Sequence, residues 1–205
     1  MVDRDAKMRE LAELRARVQV LEEELGPPAQ ASQWPPPTYY TAYHALAGFV
    51  LGMFGAATSL LFNVVGSLLV GQHPLELIRV YLTFPLGEAA LKTEDGLTLA
   101  IGCCLYLGTG MLLGIPFQLV LTRFLANAGF IRRFAVVSAM SLGLWIINFY
   151  LLLAWLQPLL FEGNWIVTLI PWWVAALTHL VFGWTMLLVQ PLGSFVPYRP
   201  PMEGA

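Results

Sequence analysis

Four stretches of the chain contain no Asp, Glu, Lys or Arg: residues 25–75, 96–122, 134–161 and 163–198. Each can hold the roughly 20 apolar residues that carry an α-helix through a bilayer core. The pattern predicts membrane-spanning helices over about 42–70, 97–121, 134–157 and 171–190. The fold class expected is an all-α integral membrane protein with four transmembrane helices.

Ahead of these runs the pattern changes period. Leu11, Leu14, Val18, Leu21 and Leu25 are spaced alternately by three and four residues, a heptad seam in a densely charged segment. Asp3 or Asp5 can cap the start of this helix, and Gly26-Pro27-Pro28 ends it. With Leu11, Val18 and Leu25 at a and Leu14 and Leu21 at d, Glu10 and Arg17 fall at g and Arg15 and Glu22 at e. A parallel pair would match Glu10 with Arg15 and Arg17 with Glu22, and an antiparallel pair Glu10 with Arg17 and Arg15 with Glu22. Both are complementary, so pairing is supported and its direction left open. Fewer than the three to four heptads of a firm coiled coil are present, so an amphipathic helix on another protein surface is the competing reading. The chain thus divides into an amphipathic helix (1–26), a Pro-rich linker (27–41), a transmembrane domain (42–190) and a Pro-rich tail (191–205).

Two connections carry their own apolar pattern. Residues 74–84 have Pro74 and Glu76 where a helix would start. Leu75, Ile78, Tyr81 and Leu82 suit a helix lying flat in the interface, with Glu76, Arg79 and Glu88 solvated or interfacial. Residues 158–170 are apolar too and should lie against the same surface. Tyr39, Tyr40 and Tyr43 form an aromatic cluster at one membrane boundary, and Trp155, Trp165, Trp172 and Trp173 one at the other.

The spans also repeat. Leu105, Gly108, Met111, Leu112, Leu113 and Pro116 match Leu180, Gly183, Met186, Leu187, Leu188 and Pro191 in an L-x-x-G-x-x-M-L-L-x-x-P frame. Asn63 and Gln72 share their spacing with Asn148 and Gln157. This predicts two pseudo-repeated hairpins about an axis along the membrane normal. Helices in lipid approach closely through small residues. Gly48, Gly52 and Ala56, then Gly110 and Gly114, then Ala175 and Gly183 form such stripes.

Composition agrees: 58% hydrophobic and 12% charged, against about 25% charged in a soluble domain, with a mean hydropathy of +0.67. This excludes a soluble enzyme and a secreted disulfide scaffold, and adjacent Cys103 and Cys104 point apart on a helix. The net charge of −2 excludes a nucleic-acid partner. No cleavable leader is expected, so the first span would act as an uncleaved anchor. Lys and Arg favour the side holding both termini and the second-to-third loop, which predicts cytoplasmic termini in a bacterial inner membrane.

His179 is the one ionisable side chain well inside a span, and such residues are functional candidates. The repeat sets Cys104 opposite it and Met111 opposite Met186, a soft set suited to Cu(I). The competing reading is that His179 bonds a neighbouring backbone or Asn while the methionines fill space, and nothing else in the sequence is metal-specific. His44, His73 and His179 lie at different depths, which argues against an internal bis-histidine haem. Asn63 and Asn148 read as helix-to-helix hydrogen-bonding residues. With no nucleophile–base constellation, phosphate loop or carboxylate pair, neither an enzyme nor a bound cofactor or metal is expected.

The stretch Thr178-His179-Leu180-Val181-Phe182-Gly183 resembles a feature of uncharacterised small four-helix bacterial inner-membrane proteins. The resemblance covers the four spans and not the N-terminal helix. The pattern has a further small residue four positions after the glycine, where this chain has Leu187. It implies a topology and no activity. The expected role is a non-catalytic accessory subunit of a larger inner-membrane complex, such as one of respiratory or photosynthetic electron transfer. Its partners would be other membrane subunits and lipid, with self-association through the N-terminal helix. The alternatives are a small transporter, channel or metal-handling protein using His179 and Cys104, and a self-associating membrane scaffold.

Overall fold

A computed structural model describes residues 2–25, 37–160 and 163–194. The chain divides into two compact units, Met1–Tyr40 and Thr41–Ala205. In the first, α1 spans Val2–Leu25. Every side chain described on it, residues 6–21, is exposed, including Leu11, Leu14, Val18 and Leu21. Met8 and Val20 are also exposed, off the seam, so the helix is less amphipathic than its heptad spacing alone suggests. The side chains of Glu22 and Leu25, most of the linker and most of the C-terminal tail lie outside the described residues.

Among the described residues of the second unit every regular element is helical. Four helices are long and apolar enough to cross a membrane: Tyr40–Leu69, Gly96–Arg123, Phe130–Leu160 and Trp172–Gly193. They correspond to α2 (Pro37–Leu69), α4 (Gly96–Arg123), α5 with α6 (Phe130–Ile146 and Ala154–Leu160) and α8 (Trp172–Val189). Between α5 and α6 the backbone widens into a π-helical segment, Ile147–Leu153. Their outward side chains are apolar and exposed, as at Leu61, Leu112, Leu151 and Leu188, a surface suited to lipid.

Glycine sets how closely α2 and α4 approach. A methyl group added at Gly48 would lie 2.7 Å from the Gly114 carbonyl oxygen, and one at Gly114 2.6 Å from the Gly52 Cα. One at Gly52 would meet the Gly110 carbonyl, and one at Gly110 the Ala56 methyl. The two stripes thus pack backbone to backbone. On α8, Gly183 fits against Ser141 and Val137 of α5 and Phe117 of α4. The main core lies here, with Leu51, Phe117, Leu121, Val137, Phe182 and Met186 buried together.

The segment expected to lie flat in the interface does something different. It forms α3, Glu76–Leu86, but Ile78 and Leu82 are fully buried, packed with Ala90 and Leu99 against the open side of Gly102. Its opposite side buries Val80 with Phe149, Ile166 and Ala175. The helix is apolar on two sides because protein covers both. Arg79 is also drawn in: its side chain is only 12% exposed, Nε donates to the Thr93 carbonyl at 2.9 Å and the guanidinium reaches Glu76 and Glu94. Glu88 is exposed, as expected. The helix begins at Glu76, two residues after Pro74, and His73 Nδ1 accepts from the Leu75 amide.

The proposed repeat partners do not share environments. Gly183 is packed, whereas nothing lies within 4 Å of a methyl placed at Gly108. Gln157 is fully buried, donating to Thr83 at 2.9 Å and accepting from the Ile166 amide at 3.1 Å, whereas Gln72 is exposed. The sequence frame aligns residue types without aligning packing faces.

Candidate functional site

Below α3 the spans part to leave a cavity of about 530 Å³, within the roughly 300–1,000 Å³ of small-molecule sites. Most of its wall is Leu, Ile and Phe, contributed by α3, α4, α8, the span from α5 through the π-helical segment to α6, and Ile166 and Ile170, with Ala56 and Ser59 from α2. The segment Ile147–Leu153 matters because its wide turn carries Asn148, Phe149, Leu152 and Leu153, all of which line the cavity. Such π turns occur often at functional sites.

The polar groups at this wall come in pairs that cross between helices. Ser59 gives its only proton to the Ala56 carbonyl (2.9 Å), so in its 2.9 Å contact with Tyr106 the phenol is the donor. Thr109 likewise donates to the Leu105 carbonyl (3.0 Å), making Tyr81 the donor in their 2.7 Å pair. The two tyrosine rings meet edge to face at 5.7 Å. Thr178 donates to Val174 and accepts from Asn63, whose amide nitrogen also donates to the Ser59 carbonyl, both at 2.8 Å.

His179 follows the same rule. Its Nδ1 lies 2.8 Å from the Ala175 carbonyl, which can only accept, so the network assigns the ring proton to Nδ1. Nε2 is then left to accept from the Asn148 amide at 3.3 Å. Phe149 stands edge-on to the imidazole.

The four soft side chains do not converge. His179 faces the cavity, whose wall includes neither Cys104, Met111 nor Met186. Cys104 is exposed, and Met186 is fully buried in the main core. Among the described residues no group of three or more His, Cys, Asp or Glu is placed to hold a metal ion. Ala175 and Gly183 serve packing on either side of His179.

Sequence reasoning picked out His179, Asn63 and Asn148 and missed Ser59, Tyr81, Tyr106 and Thr109. Tyrosine and hydroxyl residues in apolar spans carry no distinguishing spacing, and α3 was not expected to reach α4. No protein-family model, curated protein or solved structure matches the chain.

Proposed function

We propose that this chain is a non-catalytic subunit of a larger assembly in a bacterial inner membrane, with both termini in the cytoplasm. The observation that supports this most is α1. Leu11, Leu14, Val18 and Leu21 are 42–55% exposed on one seam of a helix whose flanking charges complement a second seam. In proteins most helical stability comes from packing an apolar face against a partner rather than from intrinsic propensity. The transmembrane unit supplies the anchor and α1 the docking element.

Purification in mild detergent followed by native mass spectrometry tests the reading. Other membrane subunits should co-migrate with the full chain and be lost when Leu14 and Val18 are both replaced by Glu. Migration as a monomer alone overturns the proposal. Assembly of this chain only with itself supports a scaffold in its place.

A further inference from the structure

The cavity beneath α3 has a hydrogen-bonding polarity. The hydroxyl protons of Ser59, Thr109 and Thr178 go to backbone carbonyls, and the network then assigns those of Tyr81 and Tyr106 to Thr109 and Ser59. Both amide protons of Asn63 are used, and the His179 ring proton goes to Ala175. One amide proton of Asn148 remains. Unused acceptor capacity, by contrast, persists on both phenol oxygens, each of which can still accept. No Lys, Arg, Asp or Glu lines the wall. We infer that the cavity binds a neutral, largely apolar molecule with a hydroxyl head group, which donates its proton to the Tyr81–Tyr106 pair.

Each alternative ligand class conflicts with the same wall. A quinone or ester head brings only acceptors; the phenol protons are already committed, which leaves it the single remaining Asn148 amide proton and nothing at the tyrosine pair. A carboxylate or ammonium head would be buried without a counter-charge. Hydrocarbon alone would leave the phenol lone pairs as they are and gain nothing from them. A hydroxyl supplies the missing donor, while its chain or ring system fills the apolar wall formed by residues such as Leu105, Leu113 and Leu153. The ligand could be a membrane lipid with a free hydroxyl or a free long-chain alcohol; the head-group chemistry is shared. The inference is independent of α1 and of any partner subunit.

The test uses the full chain in phosphatidylcholine nanodiscs and a long-chain alcohol carrying a diazirine on its chain. Light should label peptides containing 105–113 and 152–156 above lipid-facing positions such as Leu61 and Leu188. Unlabelled 1-hexadecanol should compete about tenfold better than its methyl ether, as expected for one hydrogen bond that the ether cannot make. In Tyr81→Phe/Tyr106→Phe that preference should collapse toward one while labelling persists. The competition on the wild-type chain decides the question even if the double variant does not fold. Mass spectrometry of lipids that co-purify distinguishes the sources: a hydroxyl lipid at near-equal stoichiometry points to the membrane, and its absence with intact labelling to a free alcohol. Equal competition by the ether, stronger competition by an alkylated benzoquinone, or labelling spread evenly over lipid-facing residues overturns the inference.

Discussion

Gly114 and Gly108 are six residues apart on one helix and differ in what a methyl group would meet. At Gly114 it meets the backbone of Gly48 and Gly52, which cannot move out of the way as a flexible side chain can; at Gly108 it meets nothing within 4 Å. Gly114→Ala should therefore destabilise the transmembrane unit by about 1–3 kcal/mol, the cost of overpacking. Gly108→Ala should change stability by less than about 0.5 kcal/mol. Thermal unfolding of both variants in one detergent measures the difference, and equal effects would mean that α2 and α4 do not meet through these glycines. Asp95 offers a second check. It caps α4, with the Thr98 hydroxyl (2.7 Å) and amide (2.8 Å) both donating to Oδ2. These bonds favour the charged carboxylate and hold it below the ordinary aspartate range. A depressed native pKa means that the cap's contribution is complete above the unfolded value of about 3.9 and is lost as pH falls through the native one. Amide exchange at Thr98 should stay protected through mildly acidic pH, and Asp95→Ala should remove that protection at neutral pH.

At the level of elements, Gln157 joins three of them. Its amide donates to Thr83 of α3 and accepts from the first turn of α7, Trp165–Leu169, at Ile166. Gln157→Leu would leave the Ile166 amide buried without a partner, a loss of about 1–3 kcal/mol. Hydrogen exchange should rise at 165–169 and in α3, while Gln72→Leu, at an exposed position, leaves both unchanged. Equivalent effects would argue for the repeat after all. The contrast shows where the sequence was legible. The four spans were readable because charge is excluded from them, and the small-residue stripes because close approach restricts residue type. Arg79 was not: Glu76 is its neighbour one turn earlier, but enclosing the guanidinium also needs the Thr93 carbonyl and Glu94 brought from beyond the helix, and no local pattern announces those. The π-helical segment and the cavity it borders were illegible for a related reason. A wide turn depends on the packing of Phe149 against Val80 of α3, Ile166 of α7 and Ala175 of α8, and a run such as Ile147-Asn-Phe-Tyr-Leu-Leu-Leu153 is compatible with an ordinary α-helix.

For the whole molecule, the remaining question is which way it crosses the membrane, and the positive-inside rule weighs the Lys and Arg that flank the spans at insertion. Arg123 and Arg132 are exposed at the turn between α4 and α5, and Arg133 donates to the neutral Gln190 at 2.9 Å. On the opposite side, Arg79 is enclosed and faces Glu76 and Glu94, which leaves Lys92 exposed. Orientation is chosen during insertion, before Arg79 is enclosed, so Arg79 and Lys92 together weigh against Arg123, Arg132 and Arg133. The proposed topology puts α3 and residues 87–95 outside the cytoplasm. In a Cys103→Ser/Cys104→Ser background, Glu94→Cys, at a side chain 89% exposed, should react with an impermeant maleimide in intact spheroplasts. Asn127→Cys, also exposed, should react only after the membrane is opened. Disruption by detergent must make both react, which shows that each thiol is chemically competent. Labelling of Asn127→Cys alone in sealed spheroplasts would invert the molecule. It would move α1 to the outer face and refute the cytoplasmic placement of the docking helix.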